Sequence, residues 1–415
     1  MKNLTWQNPE QLFVAQELIN KVKSKCCGIK DNKIKVGFIG WYSPDDKKAL
    51  SGTPHKISEL LESLGCDISW IKITRSFKYR LFEKLARGLN RILGSIMIDS
   101  THSVIGAKYQ SETIDMENIQ QCDVIFAPFC SDALYFLKTE KPIIYLSDAT
   151  FSIMVDYYFK GLSKYAINQG NKVEQKAMDK ATEIIVSSQW AADSAINDYH
   201  QDPSKVHVIE FGANIDDKDI IEKKFAYEGH LHLLFLGVDW KRKGGQIAVD
   251  ACKWLNENGV PATLHIVGIR ELDDSIKQLP YIDYVGFLNK NFPEQYNRLV
   301  KVIKQCHCML LPTLAECSAI AFCESSANGL PVFSHFTGGV GNYIYDGRNG
   351  YLLPLGSTGA DFGAKIKACL ESGELERMSM TARDVYREKL NWNVWAQKVE
   401  EIIRNILEEK YGINK

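Results

Sequence analysis

The segment "CHCMLLPTLAECSAIAFCESSANGLPVFSH", residues 306–335, predicts a strand, a helix and a second strand in succession. Its first eight residues form an apolar run that suits a buried strand. The run from Ala319 has helical propensity and ends at Gly329, with Pro331 just beyond. "PVFSH" then supplies the next strand. Strands joined by a helix in this way pair in parallel, so the segment predicts an α/β fold whose parallel sheet is covered by helices.

The same alternation extends in both directions and divides into two groups of strands. The 415 residues are too many for one ordinary hydrophobic core, and the polar segment 213–230 separates the groups. We therefore predict one Rossmann-like domain over 1–215, a second over 216–390, and a carboxyl-terminal helix over 391–415 that packs across the domain junction. The further predicted strands are "KIKVGFIG" (33–40), "DISWIKI" (67–73), "CDVIFAPF" (122–129), "KPIIYLSD" (141–148), "ATEIIVSS" (181–188), "KVHVIEFGANID" (205–216), "LHLLFLGVDW" (231–240), "ATLHIVG" (262–268) and "IDYVGF" (282–287).

The composition is that of a soluble globular chain and excludes several classes of protein. The hydrophobic share is 45%, the net charge is −1, and no run of about 18 apolar residues occurs, which argues against a nucleic-acid-binding field and a membrane span. Eleven cysteines without a disulfide framework, and a start without a secretory signal core, indicate the reducing cytosol. Neither Cys26–Cys27 nor Cys306–His307–Cys308 has zinc spacing, so we expect core packing at the latter and no metal site.

Two glutamates bracket an uncharged run in "ECSAIAFCE". Glu316 falls in the loop between strand and helix, and Glu324 falls in the second turn of the helix. Ser318 suits the helix cap, and the amides from Ser318 to Ala321 would lack partners and so suit a phosphate. The alternative is a surface helix with two solvated glutamates, which the spacing alone favours. The glycine loop "TGGVGN" after the next strand supports a ligand site.

A basic turn comes after the strand that ends at Gly237. Lys241, Arg242 and Lys243 precede Gly244, Gly245 and an amphipathic helix. Three cations at a helix start oppose the helix dipole, and a bound anion such as a diphosphate would resolve that conflict. A solvated basic turn is the alternative, and the sequence leaves the two open.

The first half offers two candidate positions. Gly52 lies in "SGTP" at a predicted helix start, where Thr53 suits the cap and Pro54 the first turn. This loop is not a GxGxxG fingerprint, so an NAD-dependent enzyme has weak support. Asp148 ends an apolar strand and is either a cap for the next segment of the chain or a residue that meets substrate in a cleft.

These segments resemble the retaining glycosyltransferases of family four, which have the GT-B fold. "ECSAIAFCE", with "GLPV" and "GG" after it, resembles the E-x7-E signature, and "DWKRKGG" resembles the phosphate-binding segment. "SGTPHKISELLESLG" is similar to the opening glycine loop and first helix, and "SSQWAADSA" and "FGANID" to segments around the domain junction. The resemblance implies two facing Rossmann-like domains with parallel sheets and a carboxyl-terminal helix that crosses back to the first domain.

The resemblance also implies roles for individual residues. Glu316 would contact the donor sugar and Glu324 the ribose, while Arg242 and Lys243 would neutralise the diphosphate. Asp148 would lie near the reacting sugar, which makes Asp148, Glu316 and Lys243 the expected catalytic residues. The expected donor-binding residues are Gly52, Arg242, Lys243, Phe287, Leu288, Glu316, Ser318, Ala319, Ile320, Ala321 and Glu324.

Two positions depart from the family pattern. Val238 stands where many members have arginine, and Ser318-Ala319 stands where Phe-Gly is usual. These departures keep open a different class of function, a catalytically silent GT-B subunit that binds or scaffolds.

The implied activity is retaining transfer of a hexosyl group from a UDP- or GDP-sugar to a glycan or lipid-linked acceptor. Cell-surface polysaccharide or glycoconjugate synthesis is the expected setting, in the cytoplasm at the inner face of the membrane. We expect front-face displacement without a cofactor or metal, because Asp45-Asp46 and Asp216-Asp217 are loop carboxylates rather than a metal-binding cluster.

Residues 75–97, "RSFKYRLFEKLARGLNRILGSIM", carry six Lys/Arg against one Glu. Phe77, Leu81, Leu85 and Leu89 lie on one stripe of the predicted helix, with Ile92 or Leu93. Such a helix either lies on an anionic membrane or buries its apolar stripe in the core with a solvated basic side.

Overall fold

The computed structural model describes residues 33–46, 49–215, 219–220, 224–289 and 292–411, and omits the side chains of Ser51 and Tyr411. Cys26, Cys27, Asp216 and Asp217 lie outside the described residues. The chain forms two compact units. The first comprises Met1–Ile185, Ser194–His207 and Ala396–Lys415, and the second comprises Val186–Asp193 and Val208–Trp395.

A six-stranded sheet lies in the first part of the chain, with the strand order β2-β1-β3-β4-β5-β6. The pairings of β1 with β2, β1 with β3 and β3 with β4 are parallel, as predicted. The order reverses between β1 and β3, so the loops after these two strands open a crevice at the carboxyl edge. The strands are β1 (Lys35–Gly40), β2 (Asp67–Lys72), β3 (Val124–Pro128), β4 (Ile143–Ser147), β5 (Glu183–Val186) and β6 (Val206–Val208).

The second sheet also has six strands, in the order β12-β11-β10-β7-β8-β9. Every neighbouring pair is parallel. This is the dinucleotide-fold order, and its switch point lies between β7 and β10. The strands are β7 (Leu231–Leu236), β8 (Ala262–Val267), β9 (Ile282–Gly286), β10 (Cys308–Leu310), β11 (Val332–His335) and β12 (Gly350–Leu353).

Helices connect the strands in both units. Helix α15 begins in the second unit and continues in the first. The helices are α1 (Thr53–Ser63), α2 (Phe77–Leu93), α3 (Val104–Ser111), α4 (Met116–Gln121), α5 (Ser131–Leu134), α6 (Phe151–Met154), α7 (Lys164–Lys180), α8 (Gln189–Asn197), α9 (Gly245–Glu257), α10 (Asp274–Lys277), α11 (Pro293–Gln305), α12 (Ile320–Ala327), α13 (Gly359–Glu371), α14 (Glu374–Glu388) and α15 (Trp392–Tyr411); short 3₁₀ turns span Ala49–Gly52, Pro203–Lys205 and Gly338–Asn342.

The strands pack into the core as near-continuous apolar runs. All of β3 and β4 are buried, and so are Leu233 to Phe235 of β7. Cys306, His307 and Cys308 are buried as well, and the His307 ring stacks on His232 with ring centroids 5.6 Å apart. The prediction that this triplet packs in the core is confirmed.

Local chemistry at helix ends matches the prediction only in part. Gly65 follows α1 with a φ of 84° and Gly329 follows α12 with a φ of 66°, as expected for glycine stops. The prediction that Thr53 caps α1 is wrong: Gly52 takes the cap position with a φ of 85°, and Thr53 is the first helical residue.

Helix α2 settles one alternative. The residues of its predicted apolar stripe, from Phe77 to Leu93, are exposed to solvent rather than packed in the core. The core-facing interpretation of that stripe is therefore wrong. Separately, none of the described helices combines the length and apolar character needed to cross a membrane.

Candidate active site

The site is built at the switch point of the second sheet, where the loops after β7 and β10 leave in opposite directions. The loop after β7 carries Arg242 and Lys243, and the loop after β10 carries Glu316. Because ligands of such sheets bind outside the carboxyl ends of the strands at this point, these side chains occupy the expected position for a nucleotide.

Glu316 joins the two loops through ion pairs. Its carboxylate accepts from Lys243 Nζ and lies 3.5 Å from Arg242 Nη1. Arg242 Nη1 also donates to the Ala315 carbonyl oxygen at 3.0 Å. Glu316 is only 9% exposed, so its interpretation as a solvated glutamate is wrong. The cations at the start of α9 are thus balanced by a carboxylate that a diphosphate would have to replace.

The basic turn is held in one conformation by backbone contacts. The amides of Arg242 and Lys243 donate to Asp239, at 3.0 Å to Oδ1 and 3.0 Å to the carbonyl oxygen. Gly244 then caps α9 with a φ of 70°, and a Cβ there would lie 2.1 Å from the Pro312 carbonyl oxygen. Only glycine fits this close approach of the two loops. The turn therefore positions its cations before any ligand binds.

The start of α12 differs from the expectation. Ala319, not Ser318, takes the cap position, and no side chain caps the helix. The Ile320 amide donates to the Ser318 carbonyl oxygen at 3.2 Å, so it is not among the unpaired amides we expected. Glu324 lies in the second turn as predicted and is only 8% exposed, so its solvated interpretation is wrong too.

The glycine loop after β11 supports the Glu316 segment. The Gly339 amide donates to the Glu316 carbonyl oxygen at 3.0 Å, and a Cβ on Gly339 would lie 1.9 Å from the Cys317 carbonyl oxygen. The Thr337 hydroxyl donates to the Leu314 carbonyl oxygen at 3.3 Å. We expected the glycines of this loop to allow close approach to a ligand. In the structure, Gly339 instead allows close approach to the loop that carries Glu316.

An aromatic platform lies after β9 in the same unit. Phe287 is exposed, Leu288 is half-buried, and the guanidinium carbon of Arg270 lies 3.8 Å from the Phe287 ring centroid. Gly268 brings this loop close to β7, because a Cβ there would lie 2.4 Å from the Gly237 carbonyl oxygen. Arg270 was missed in the sequence, although a cation two residues beyond the glycine that ends a buried strand was the available signal.

Asp148 and Gly52 belong to the first unit, whereas Arg242, Lys243 and Glu316 belong to the second. Asp148 follows β4 and is half-buried, and Gly52 is buried at the start of α1. The structure thus brings together Arg242, Lys243 and Glu316 within the second unit. The roles of Asp148 and Gly52 stay predictions.

The first unit also holds titratable groups that sequence reasoning missed, of which Asp132 and Glu174 are buried and His102 is half-buried. Burial raises the pKa of Asp132 to about 6 and the pKa of Glu174 to about 7. The Tyr145 hydroxyl donates to Glu174 at 2.9 Å. Burial lowers the pKa of His102, but the hydrogen bond and charge of Asp99, 2.6 Å away, outweigh it and raise the pKa. These residues are scattered along the chain, and only Asp132, just after β3, had a sequence signal.

The possible metal ligands are dispersed over the described part of the chain. Within residues 33–46, 49–215, 219–220, 224–289 and 292–411, no three His, Cys, Asp or Glu side chains are grouped so as to hold a metal ion. The expectation of metal-independent chemistry stays a prediction.

The chain is similar to known glycosyltransferases in sequence. Residues 216–385 match the sequence profile of the family described as glycosyl transferases group 1. A D-inositol 3-phosphate glycosyltransferase from Gordonia bronchialis is 24% identical over 239 residues, which are 53% of this chain and 51% of that protein. One from Mycobacteroides abscessus is 25% identical over 196 residues, 45% of this chain and 44% of that protein. The chain thus spans about half the length of these curated relatives.

Solved structures match nearly the whole chain. Sucrose-phosphate synthase from Thermosynechococcus elongatus superposes with a TM-score of 0.61 at 13% identity, over 91% of this chain and 100% of that one. Anabaena HepE in complex with UDP and glucose superposes with a TM-score of 0.57 at 14% identity, over 89% and 99%. At such identities the likeness establishes the fold, which is GT-B as predicted. The match to the profile of glycosyl transferases group 1 covers residues 216–385, which lie within the second unit of that fold.

Proposed function

We propose that the protein is a retaining glycosyltransferase that moves a hexosyl group from a nucleotide diphosphate sugar to a hydroxyl acceptor. The observation that carries the proposal is the contact of Glu316 with Lys243 and Arg242 at the switch point of a nucleotide-type sheet. It supplies paired cations for a diphosphate beside a carboxylate that can accept sugar hydroxyl protons.

The proposed chemistry depends on stabilising the leaving group. As the glycosidic bond breaks, negative charge develops on the diphosphate, and Arg242 and Lys243, whose amides are fixed by Asp239, would stabilise that charge. Glu316, released from those cations by the phosphates, accepts from the sugar hydroxyls. The acceptor hydroxyl attacks from the face that the diphosphate leaves and passes its proton to a phosphate oxygen. This front-face course uses no metal or cofactor.

The remaining donor contacts come from the same unit. Phe287 with Arg270 offers a flat surface on which a base can stack, with Leu288 beside it. Glu324 of α12 is the proposed acceptor for the ribose hydroxyl pair. The structurally similar Anabaena HepE is in complex with UDP and glucose, and this favours a uridine diphosphate sugar over the GDP alternative for the present chain.

The proposed acceptor is a glycan or a lipid-linked glycan, in the synthesis of cell-surface polysaccharide or glycoconjugate at the cytoplasmic side of a membrane. The first unit would bind it, with Asp148 near the reacting sugar. The support is the exposed basic amphipathic helix α2 of that unit, which suits a protein that works at a lipid surface.

A panel of UDP-, GDP- and ADP-sugars tests the proposal through donor-dependent thermal shifts and product formation. We expect Lys243→Ala and Glu316→Ala each to lower kcat by about a hundredfold or more, as is typical when a charge-stabilising contact is lost. Lys253→Ala, an exposed cation of α9 paired with Glu257 at 3.7 Å, is the control and should keep full activity. Donor binding without turnover in the wild type would instead favour the silent GT-B subunit. Val238, which stands where many members have arginine and is 71% exposed, is the feature that keeps this alternative open.

A further inference from the structure

Helix α2 presents an apolar face that the protein itself does not cover. Phe77 is 81% exposed and Ile92 is 82% exposed, at opposite ends of the helix. At one hundred degrees per residue, the exposed apolar side chains fall on one side of the helix, which adjoins the side that packs on the protein. They are Phe77, Leu81, Leu85, Leu89, Ile92 and Leu93. The side chain of Lys78 also lies on the apolar side and is paired with Glu112 at 3.0 Å.

The side that packs on the protein is a different one. Tyr79 and Ala86 are buried, and Phe82, Glu83 and Asn90 are half-buried. Asn90 fixes the chain after the helix, accepting from the amides of 97 and 98 at 2.9 and 3.0 Å and donating to the 98 carbonyl oxygen at 2.8 Å. One face of α2 therefore packs on the first unit, and the apolar face is exposed and available to a partner.

A stripe of cations borders the apolar face. Arg80, Lys84, Arg87 and Arg91 are all exposed and succeed one another at spacings of four, three and four residues. Arg87 lies 3.5 Å from Glu83, and no carboxylate of the described residues forms an ion pair with Arg80, Lys84 or Arg91. Glu83 is the one acidic residue among the seventeen of the helix.

The helix is fully formed before any partner arrives. The Ser76 hydroxyl accepts from the Tyr79 amide at 3.2 Å, and Gly94 ends the helix with a φ of 66°. Binding would therefore not require the helix to fold. Seventeen residues at 1.5 Å each make the helix about 25 Å long. A partner must therefore match an apolar face of that length and a parallel row of positive charge.

We propose that this face of α2 docks on the surface of a bilayer containing anionic lipids. The apolar side chains enter the boundary between head groups and acyl chains, and the four cations contact lipid phosphates. A bilayer matches both features at once over the whole length of the helix. This inference concerns binding alone and holds whether or not the chain transfers sugar.

A recess beside the docked face offers a place for a polar head group. It has a volume of about 480 Å³ and is lined by Arg87 and Asn90 of α2 and by Tyr158 and Lys160. Arg87 and Lys160 are the two cations of the lining and would favour a phosphate, while the Asp99 carboxylate, which also lines the recess, is paired with His102 at 2.6 Å. A lipid that carries phosphate and sugar could therefore place its head group in the first unit while its chains stay in the bilayer.

Vesicle sedimentation of the full chain tests the proposal. The probes are vesicles of phosphatidylcholine alone and of equal parts phosphatidylcholine and phosphatidylglycerol. We expect binding to the anionic vesicles only, weakening as salt is raised. Arg80→Glu with Lys84→Glu should lower the partition coefficient at least about tenfold, since each surface cation contributes about fivefold. Leu81→Asp with Leu85→Asp should also abolish most of the binding.

Matched controls lie in the second unit. Arg298→Glu with Lys301→Glu on α11 and Met380→Asp on α14 are charge and apolar substitutions at exposed positions, and they should bind vesicles like the wild type. Thermal unfolding should be unchanged in every variant. The proposal is overturned if the wild type stays in solution with anionic vesicles, or if the controls lose binding equally. A dimer that Leu81→Asp with Leu85→Asp dissociates, without vesicle binding, would identify a second copy as the partner instead.

Discussion

Glu316 and Lys243 are 73 positions apart in the chain, yet their side chains meet. Each was predicted as a site residue from its own surroundings, one from the E-x7-E spacing and the other from a basic turn at a helix start. Their contact was not predictable in that way, because it depends on β7 and β10 being neighbours in the sheet. Arg270 was missed for the same reason, since its partner Phe287 lies on the loop of another strand.

Gly339 gives a residue-scale prediction. We expect Gly339→Ala to lower the free energy of unfolding by about 2 kcal/mol, the usual cost of overpacking, because the new methyl would meet the Cys317 carbonyl oxygen. It should also weaken nucleotide binding by displacing Glu316, whose carbonyl oxygen accepts from the Gly339 amide. Urea unfolding and nucleotide titration measure the two effects. Gly88→Ala, where a Cβ has open space on α2, is the control and should stabilise by about 0.5 kcal/mol.

At the scale of elements, the predicted strands were found because buried parallel strands are short apolar runs with clear stops. The helix starts were less accurate. Thr53 and Ser318 suit a cap by residue type, but in both places the backbone turns at the neighbouring residue and leaves the helix without a side-chain cap. The exposed stripe of α2 was ambiguous because periodicity shows which residues share a face and not whether that face is covered.

Helix α7 and strand β4 give the element-scale prediction through Glu174 and Tyr145. A carboxyl whose pKa is raised from 4.5 to about 7 on folding stabilises the fold below the lower value and loses that contribution as pH rises through the higher one. We expect the wild type to lose about 3 kcal/mol of stability from this group between about pH 4 and about pH 8. Asp132 acts in the same direction, and so does His102.

Glu174→Gln, which keeps an acceptor for Tyr145, should flatten that dependence and be more stable than the wild type at about pH 8. Urea unfolding of the first unit at several pH values measures it. Glu59→Gln, at an exposed ion pair with Lys56, is the control and should match the wild type. An unchanged slope in Glu174→Gln would show that this carboxyl does not titrate in the range.

At the scale of the whole molecule, the alternation of strands and helices predicted two Rossmann-like sheets. The order of the strands could not be predicted from the sequence, because any order of parallel strands satisfies the same apolar pattern. Yet the order decides where each site forms: the second sheet switches between β7 and β10, and the first between β1 and β3. Arg242, Lys243 and Glu316 follow the two strands at the switch point of the second sheet, and Asp132 follows β3 at the switch point of the first.

The location of these residues in the second unit predicts which part of the chain UDP protects from amide hydrogen exchange. Because Arg242, Lys243, Glu316 and Phe287 all lie in the second unit, UDP should slow amide hydrogen exchange there, in the loops 237–245 and 313–322. Exchange in α7 of the first unit should stay unchanged. Mass spectrometry of peptides with and without UDP gives the comparison, and Lys243→Ala should remove most of the protection. Protection confined to the first unit would place the nucleotide at the β1 and β3 switch point and contradict the assignment.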